Sequence, residues 1–117
     1  MTFEREIAEF FWPQHAEMLS ERNWIALSEL IEDERPVSES LNVPKGDNQD
    51  AYFASLLILL WTMRIARWAF QLYKKLSKLE GKEKTAAIIE DINSRIDEST
   101  PQIVIDRIKD IIEQVQR

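Results

Sequence analysis

A chain of 117 residues without Cys excludes disulfides, thiolate metal sites and cysteine nucleophiles, and its length suits one domain with a core of modest size. Its 44% apolar and 31% charged content is that of a globular protein, and only two Gly and four Pro leave few breakers, which favours long helices over many short strands. The net charge of −6 is uneven: residues 1–50 hold twelve acids and four bases, 51–63 hold none, 64–84 hold two acids and seven bases, and 85–117 hold seven acids and four bases.

One basic block in an acidic chain argues against nucleic acid as a partner. It points to charges satisfied within or between subunits. The N-terminus is acidic and amphipathic, unlike the basic-then-apolar start of a secretory signal, so a cytoplasmic protein is expected.

The first element runs from Phe3 to Trp12. Phe3, Ile7, Phe10 and Phe11 recur at helical spacing, with Glu4, Glu6 and Glu9 opposite them. Pro13 disfavours helix at Trp12 and predicts a kink or break there. The second element spans Pro13 to about Glu34, with Ala16, Leu19, Leu27, Leu30 and Ile31 as its apolar face. Ser20–Asn23 is a candidate interruption, with Asn23 capping a helix over 24–34; one continuous helix is the alternative. Residues 36–49 contain two Pro, one Gly and small polar side chains, and read as a flexible loop.

The third element is the longest, about 50–79, with Asp47 as its cap and Gly81 in the position that follows a helix end. Its stretch from Ala51 to Met63 has no charge, no Gly and no Pro, and is apolar nearly all round. The fourth element, Lys82–Glu98, carries Ile88, Ile89, Ile92 and Ile96 as a stripe. The fifth opens at Thr100–Pro101 and carries Ile103, Val104, Ile105, Ile108, Ile111, Ile112 and Val115 at a period near 3.6. The expectation is a single all-α domain over 1–117, a bundle of five to six helices around the long third one.

A helix apolar on every side must be covered on every side. Lipid is a poor cover here. The uncharged run is 13 residues, a span needs about 20, and Arg64 and Arg67 follow at once. Protein burial is the better reading, and the long helix outruns its neighbours, so a homodimer is expected, with Leu57, Leu60, Trp61, Arg64 and Trp68 at the interface. Trp12, Trp24, Tyr52 and Phe53, near the 36–49 loop, are the candidate contacts for a further protein partner.

Four features bear on chemistry. Arg64 and Arg67 lie one turn apart and are expected to pair with acids of the first two elements. His15, the only histidine, has no Ser or Cys motif beside it and is expected at the surface or as a cap. The lysines at 74, 75, 78, 82 and 84 form the basic block. Glu29 with Glu32, and Asp47 with Asp50, are carboxylates three apart, a spacing that places each pair on one helix face where it can hold Mg²⁺.

Those two pairs resemble the ExxE and ExxD pairs that all-helical nucleotide pyrophosphohydrolases carry on two helices. The resemblance implies a Mg²⁺-dependent nucleotide hydrolase with Glu29, Glu32, Asp47 and Asp50 as metal ligands. The second pair departs from the pattern, being DxxD and standing at a helix start. The leading expectation is therefore a non-enzymatic acidic helical protein that self-associates and binds protein partners, with no cofactor. The Mg²⁺ enzyme is the alternative.

Overall fold

A computed structural model of the chain describes residues 3–32 and 51–117, with side chains from 53 onward in the second stretch. Seven helices occupy the described residues: α1 (Phe3–Phe11), α2 (Pro13–Ala16), α3 (Glu21–Ile31), α4 (Ala51–Lys75), α5 (Gly81–Asn93), α6 (Gln102–Ile105) and α7 (Ile108–Val115). The fold is all-α, and the six shorter helices pack around α4. The expected loop over 36–49, and with it Asp47 and Asp50, lies outside the described residues.

Two breaks divide helices: the one at Pro13 was expected, and the one at Arg107, which takes the helix count past the expected five or six, was not. At the first, Trp12 takes the non-helical angles φ −132° and ψ 58°, and Pro13 opens α2 where its missing N–H costs nothing. Trp12 N–H still bonds Ala8 C=O and Ala16 N–H bonds Trp12 C=O, both at 2.9 Å, so the axis bends without losing its ladder. At the second, Arg107 leaves the helical region at φ −113° and ψ 9°, which divides α6 from α7.

Three caps also differ from the sequence reading. The break between α2 and α3 lies where SERN suggested, but Ser20 is the cap and Asn23 is the third helical residue of a reciprocal capping box. Ser20 Oγ accepts from Asn23 N–H at 3.3 Å, and Asn23 Oδ1 accepts from Ser20 N–H at 3.1 Å. Helix α4 stops at Lys75, short of 79, because the chain tightens into a turn in which Leu79 N–H bonds Leu76 C=O at 3.1 Å. Gly81 has the left-handed φ of +58° that only glycine takes without strain, yet it opens α5 instead of closing α4. Pro101, with Thr100 turned back to accept from Asp97 N–H at 3.1 Å, precedes α6 as its cap.

The cover of α4 comes from this chain. Leu59, Leu60, Met63, Ile65 and Ala66 have no exposure, and Trp61 is 1% exposed. Helices α1 and α2 run antiparallel to α4: Phe3 meets Phe70 with ring centroids 5.1 Å apart, and His15 meets Ser55 near the other end. Helix α3 packs beside them through Trp24, Leu27 and Ile31, and α5 and α7 close the remaining sides through Ile88, Ile92, Ile108, Ile111 and Ile112. By length and composition α4 could cross a membrane, but two thirds of its most apolar stretch (67%) is buried among these helices.

This changes the place of the expected interface residues. Leu60, Trp61 and Arg64 are buried within one chain, while Leu57 and Trp68 are half-buried. Trp61 and Trp68 do share a face, but they use it to pack edge to face on each other at 6.2 Å.

An ion pair ties α1 to α3. Arg5 grips Glu21 through two bonds of 2.8 Å and stacks over the Trp24 ring at 4.7 Å. The Arg5 guanidinium holds the Glu21 carboxyl below the usual carboxylate range. A depressed carboxyl stabilises the fold above its unfolded pKa, and that contribution disappears as pH falls through the folded value. Glu21→Gln should therefore be less stable than the parent near about pH 7, with the difference shrinking as pH falls from the ordinary carboxylate range through the lowered folded value and Glu21 takes up its proton. Urea denaturation above and below that range measures this; a gap that persists in acid would show that packing, not charge, is responsible. Leu59→Ala should cost about 2–5 kcal/mol in the same assay, against about 0.5 kcal/mol or less for exposed Phe10→Ala.

Candidate functional site

Two regions gather chemistry-bearing side chains. The first is a polar seam between α4 and the α1–α2 segment. Trp12 Nε1–H donates to Thr62 Oγ1 at 2.8 Å, and the Thr62 hydroxyl donates to Ile58 C=O at 2.8 Å. One turn further, His15 Nδ1 lies 2.7 Å from Ser55 Oγ, which also lies 3.4 Å from the Met18 sulfur. His15 is thus a half-buried partner of a helix-core serine, not the surface residue expected. The pairing was missed because Ser55 is forty positions away and looks like a spacer in an apolar run. A Ser–His pair invites comparison with a nucleophile and its base. Ser55 is fully buried, however, so no substrate carbonyl reaches its oxygen. The seam positions helices.

The second region is the end of the molecule where α4 gives way to α5. Phe70, Tyr73 and Lys74 share one outward face of α4, as residues three and four apart do. Phe70 is 38% exposed and Tyr73 39%. Lys74 Nζ stands 4.4 Å over the Phe70 ring, and Lys84 Nζ, from the first turn of α5, stands 3.7 Å over the Tyr73 ring. An open pocket of about 460 Å³ lies here, between the end of α4, the start of α5 and Gln116 just past α7. A second open groove of about 610 Å³ continues along α5 and α7, floored by Ala86 and Ile89 and flanked by Lys82 and Lys109.

Among the described residues, none of the lysines of the basic block forms an ion pair. Of the satisfaction expected within or between subunits, the part within one chain is not seen among the described residues. Its arginines fare differently. Arg67 reaches Glu32 at 3.9 Å, in line with expectation. Arg64 is 3% exposed and donates from Nη2 to Leu30 C=O at 2.9 Å, fastening α3 to α4.

The remaining candidates that fall among the described residues form no common site, and Asp47 and Asp50 lie outside them. Trp12, Trp24 and Phe53 are core residues, so none is available as a partner contact, and the side chain of Tyr52 lies outside the described set. Glu29 and Glu32 are exposed on α3, and Glu32 is turned to Arg67. No group of three or more metal-ligating side chains occurs among the described residues. No family model, curated protein or solved structure matches this chain. Function must be read from the geometry.

The seam makes a stability claim that can be checked. Thr62→Val keeps shape but leaves the buried Trp12 indole N–H without an acceptor, and should cost about 1–3 kcal/mol in urea denaturation. Trp12→Phe should cost less in the Thr62→Val background than in the parent, since the bond is already gone there; equal costs in the two backgrounds would mean that the bond contributes nothing.

Proposed function

We propose that the protein works by association, first with a second copy of itself, through the basic and aromatic end of α4. The observation that carries this reading is that Lys74, Lys75, Lys78 and Lys82 have no carboxylate partner among the described residues and stand beside two half-exposed rings, Phe70 and Tyr73. Exposed aromatics are enriched at contact surfaces, and the lysines beside them offer charge complementarity to an acidic partner.

A second copy suits that surface by charge. Helices α1 to α3, over 3–32, carry seven carboxylates against two arginines, a net −5. In a two-fold pairing the same patch serves both partners, so the lysine end of each copy meets the acidic helices of the other. The apolar excess of α4 does not supply the drive, because one chain already covers it. Electrostatic attraction and ring burial do.

Sedimentation at micromolar concentration should give about twice the 13.8 kDa chain mass at low salt. The dimer should loosen toward half a molar salt, where the screening length falls to about 4 Å. Lys74→Glu with Lys78→Glu should give a folded monomer, both positions being exposed. A monomer of the parent chain at low salt, or a dimer indifferent to both salt and charge reversal, would refute the reading.

A further inference from the structure

Ile25 is 62% exposed on α3 and takes no part in the core. Glu29 and Glu32 follow it four and seven positions on, the spacing that aligns side chains along one face of a helix. Both are exposed. Among the described residues Glu29 has no ion pair, and Glu32 lies 3.9 Å from Arg67 on α4. Arg67 in turn opens a second stripe. Phe70 and Lys74 stand three and seven positions beyond it, and Lys78 follows in the turn after α4. Phe70 is half-exposed, and both lysines are exposed.

The two stripes belong to one surface. Met18, just before the Ser20 cap of α3, has its sulfur 3.4 Å from Ser55 Oγ, and the far end of α3 is fastened by the 2.9 Å bond from Arg64 to Leu30 C=O. Helix α3 therefore runs in the direction of α4, and its acidic stripe lies toward the Ser55 end of the molecule. The basic stripe lies beyond Arg67, toward Gly81. The Glu32–Arg67 pair stands at the boundary, and the charge changes sign across it.

We propose that two copies pair about a two-fold axis beside the Glu32–Arg67 pair, with α3 of each copy on the Phe70–Lys78 stripe of the other. This rests on the self-association proposed above, and it adds the acidic half of the interface and the place of its axis. A half turn about the boundary carries the acidic stripe onto the basic one, so both contacts form at once. Ile25 then covers the Phe70 ring of the other copy, and Glu29 meets its Lys74. The apolar pair supplies burial, and the charges around it fix the register. A second copy is the occupant that fits, because it alone carries both halves in the order this surface needs; a foreign acidic partner would match the lysines and leave Ile25 and Glu29 unmet.

Sedimentation of exposed-site variants at low salt tests the axis. Glu29→Lys and Lys74→Glu each set like charges against one another at both contacts of a symmetric pair, and each alone should weaken self-association about tenfold or more. Mixed in equal amounts, the two should form a heterodimer about as tight as the parent dimer, because one contact then has its charges exchanged and the other is the parent's. Ile25→Gln should weaken the dimer about tenfold, the loss of one apolar anchor, while urea denaturation shows the fold unchanged. Two charge variants that do not restore each other, or an Ile25→Gln protein that dimerises like the parent, would overturn this arrangement and leave self-association standing. A parent chain that is monomeric at low salt would overturn both.

Discussion

A helix of 25 residues with apolar side chains around its whole circumference cannot stand in water until something covers every face of it. In this protein α1 to α3 cover one side, and α5 and α7 cover the other. The covering helices run between 4 and 13 residues, too short to hold their shape alone. Each is stable because α4 gives it a surface, and α4 is stable because they surround it. Fully burying side chains such as Leu59, Leu60 and Ile65 contributes about 1.5–3 kcal/mol apiece, so the packing along this one axis dominates the stability of the domain.

Apolar packing does not by itself choose a register, and the polar atoms of the aromatics supply one. The Trp12 indole finds Thr62, the Trp61 indole finds Ser99 at 3.3 Å, and His15 finds Ser55. Each pair joins α4 to a different part of the chain, and a slip of one residue would strand a buried donor. Guanidinium groups then close the edges of the aromatic core. Arg5 lies over Trp24, Arg95 over Trp68 at 5.3 Å, and Arg107 over Phe11 at 5.0 Å. Arginine serves here where lysine would not, since a flat, weakly hydrated cation can lie on a ring while its rim still meets a carboxylate. Arg95 does both, reaching Asp91 at 2.7 Å. The lysines gather at the end of α4 and the start of α5, where Lys74 stands over Phe70 and Lys84 over Tyr73 without a carboxylate among the described residues.

The elements could be read from the chain because their periods and punctuation are local. Ile88 and Ile92, and Val104, Ile108 and Ile111, lie on the core side as their spacing implied, and Pro13 broke the first helix where its ring demanded. The fold class followed from the same signals. What a linear reading could not supply was distance across the bundle. Trp12 and Trp24 looked like surface anchors until α4 was seen to lie against them. Ser55 looked like filler until His15 arrived opposite. The need for a second copy to hide α4 was argued from helix lengths, and it left out how much six short helices cover when they approach from different sides. Lys84 was legible only as one of several lysines; nothing in its neighbourhood of sequence shows that its ammonium lies over the Tyr73 ring.

The contacts that lock α1 and α2 onto α4 join positions 40 and 50 apart in the chain. Helical domains ordinarily fold fast because their contacts are close in sequence. Here the N-terminal helices must find α4 across a wide separation in sequence, and closing it lowers the entropy of the chain before any of the seam bonds form. The antiparallel closure of α1 and α2 on α4 is therefore the step with the larger entropic cost. The α4–α5–α7 side, whose turns are short, is the part that can form first and offer the remaining helices a template.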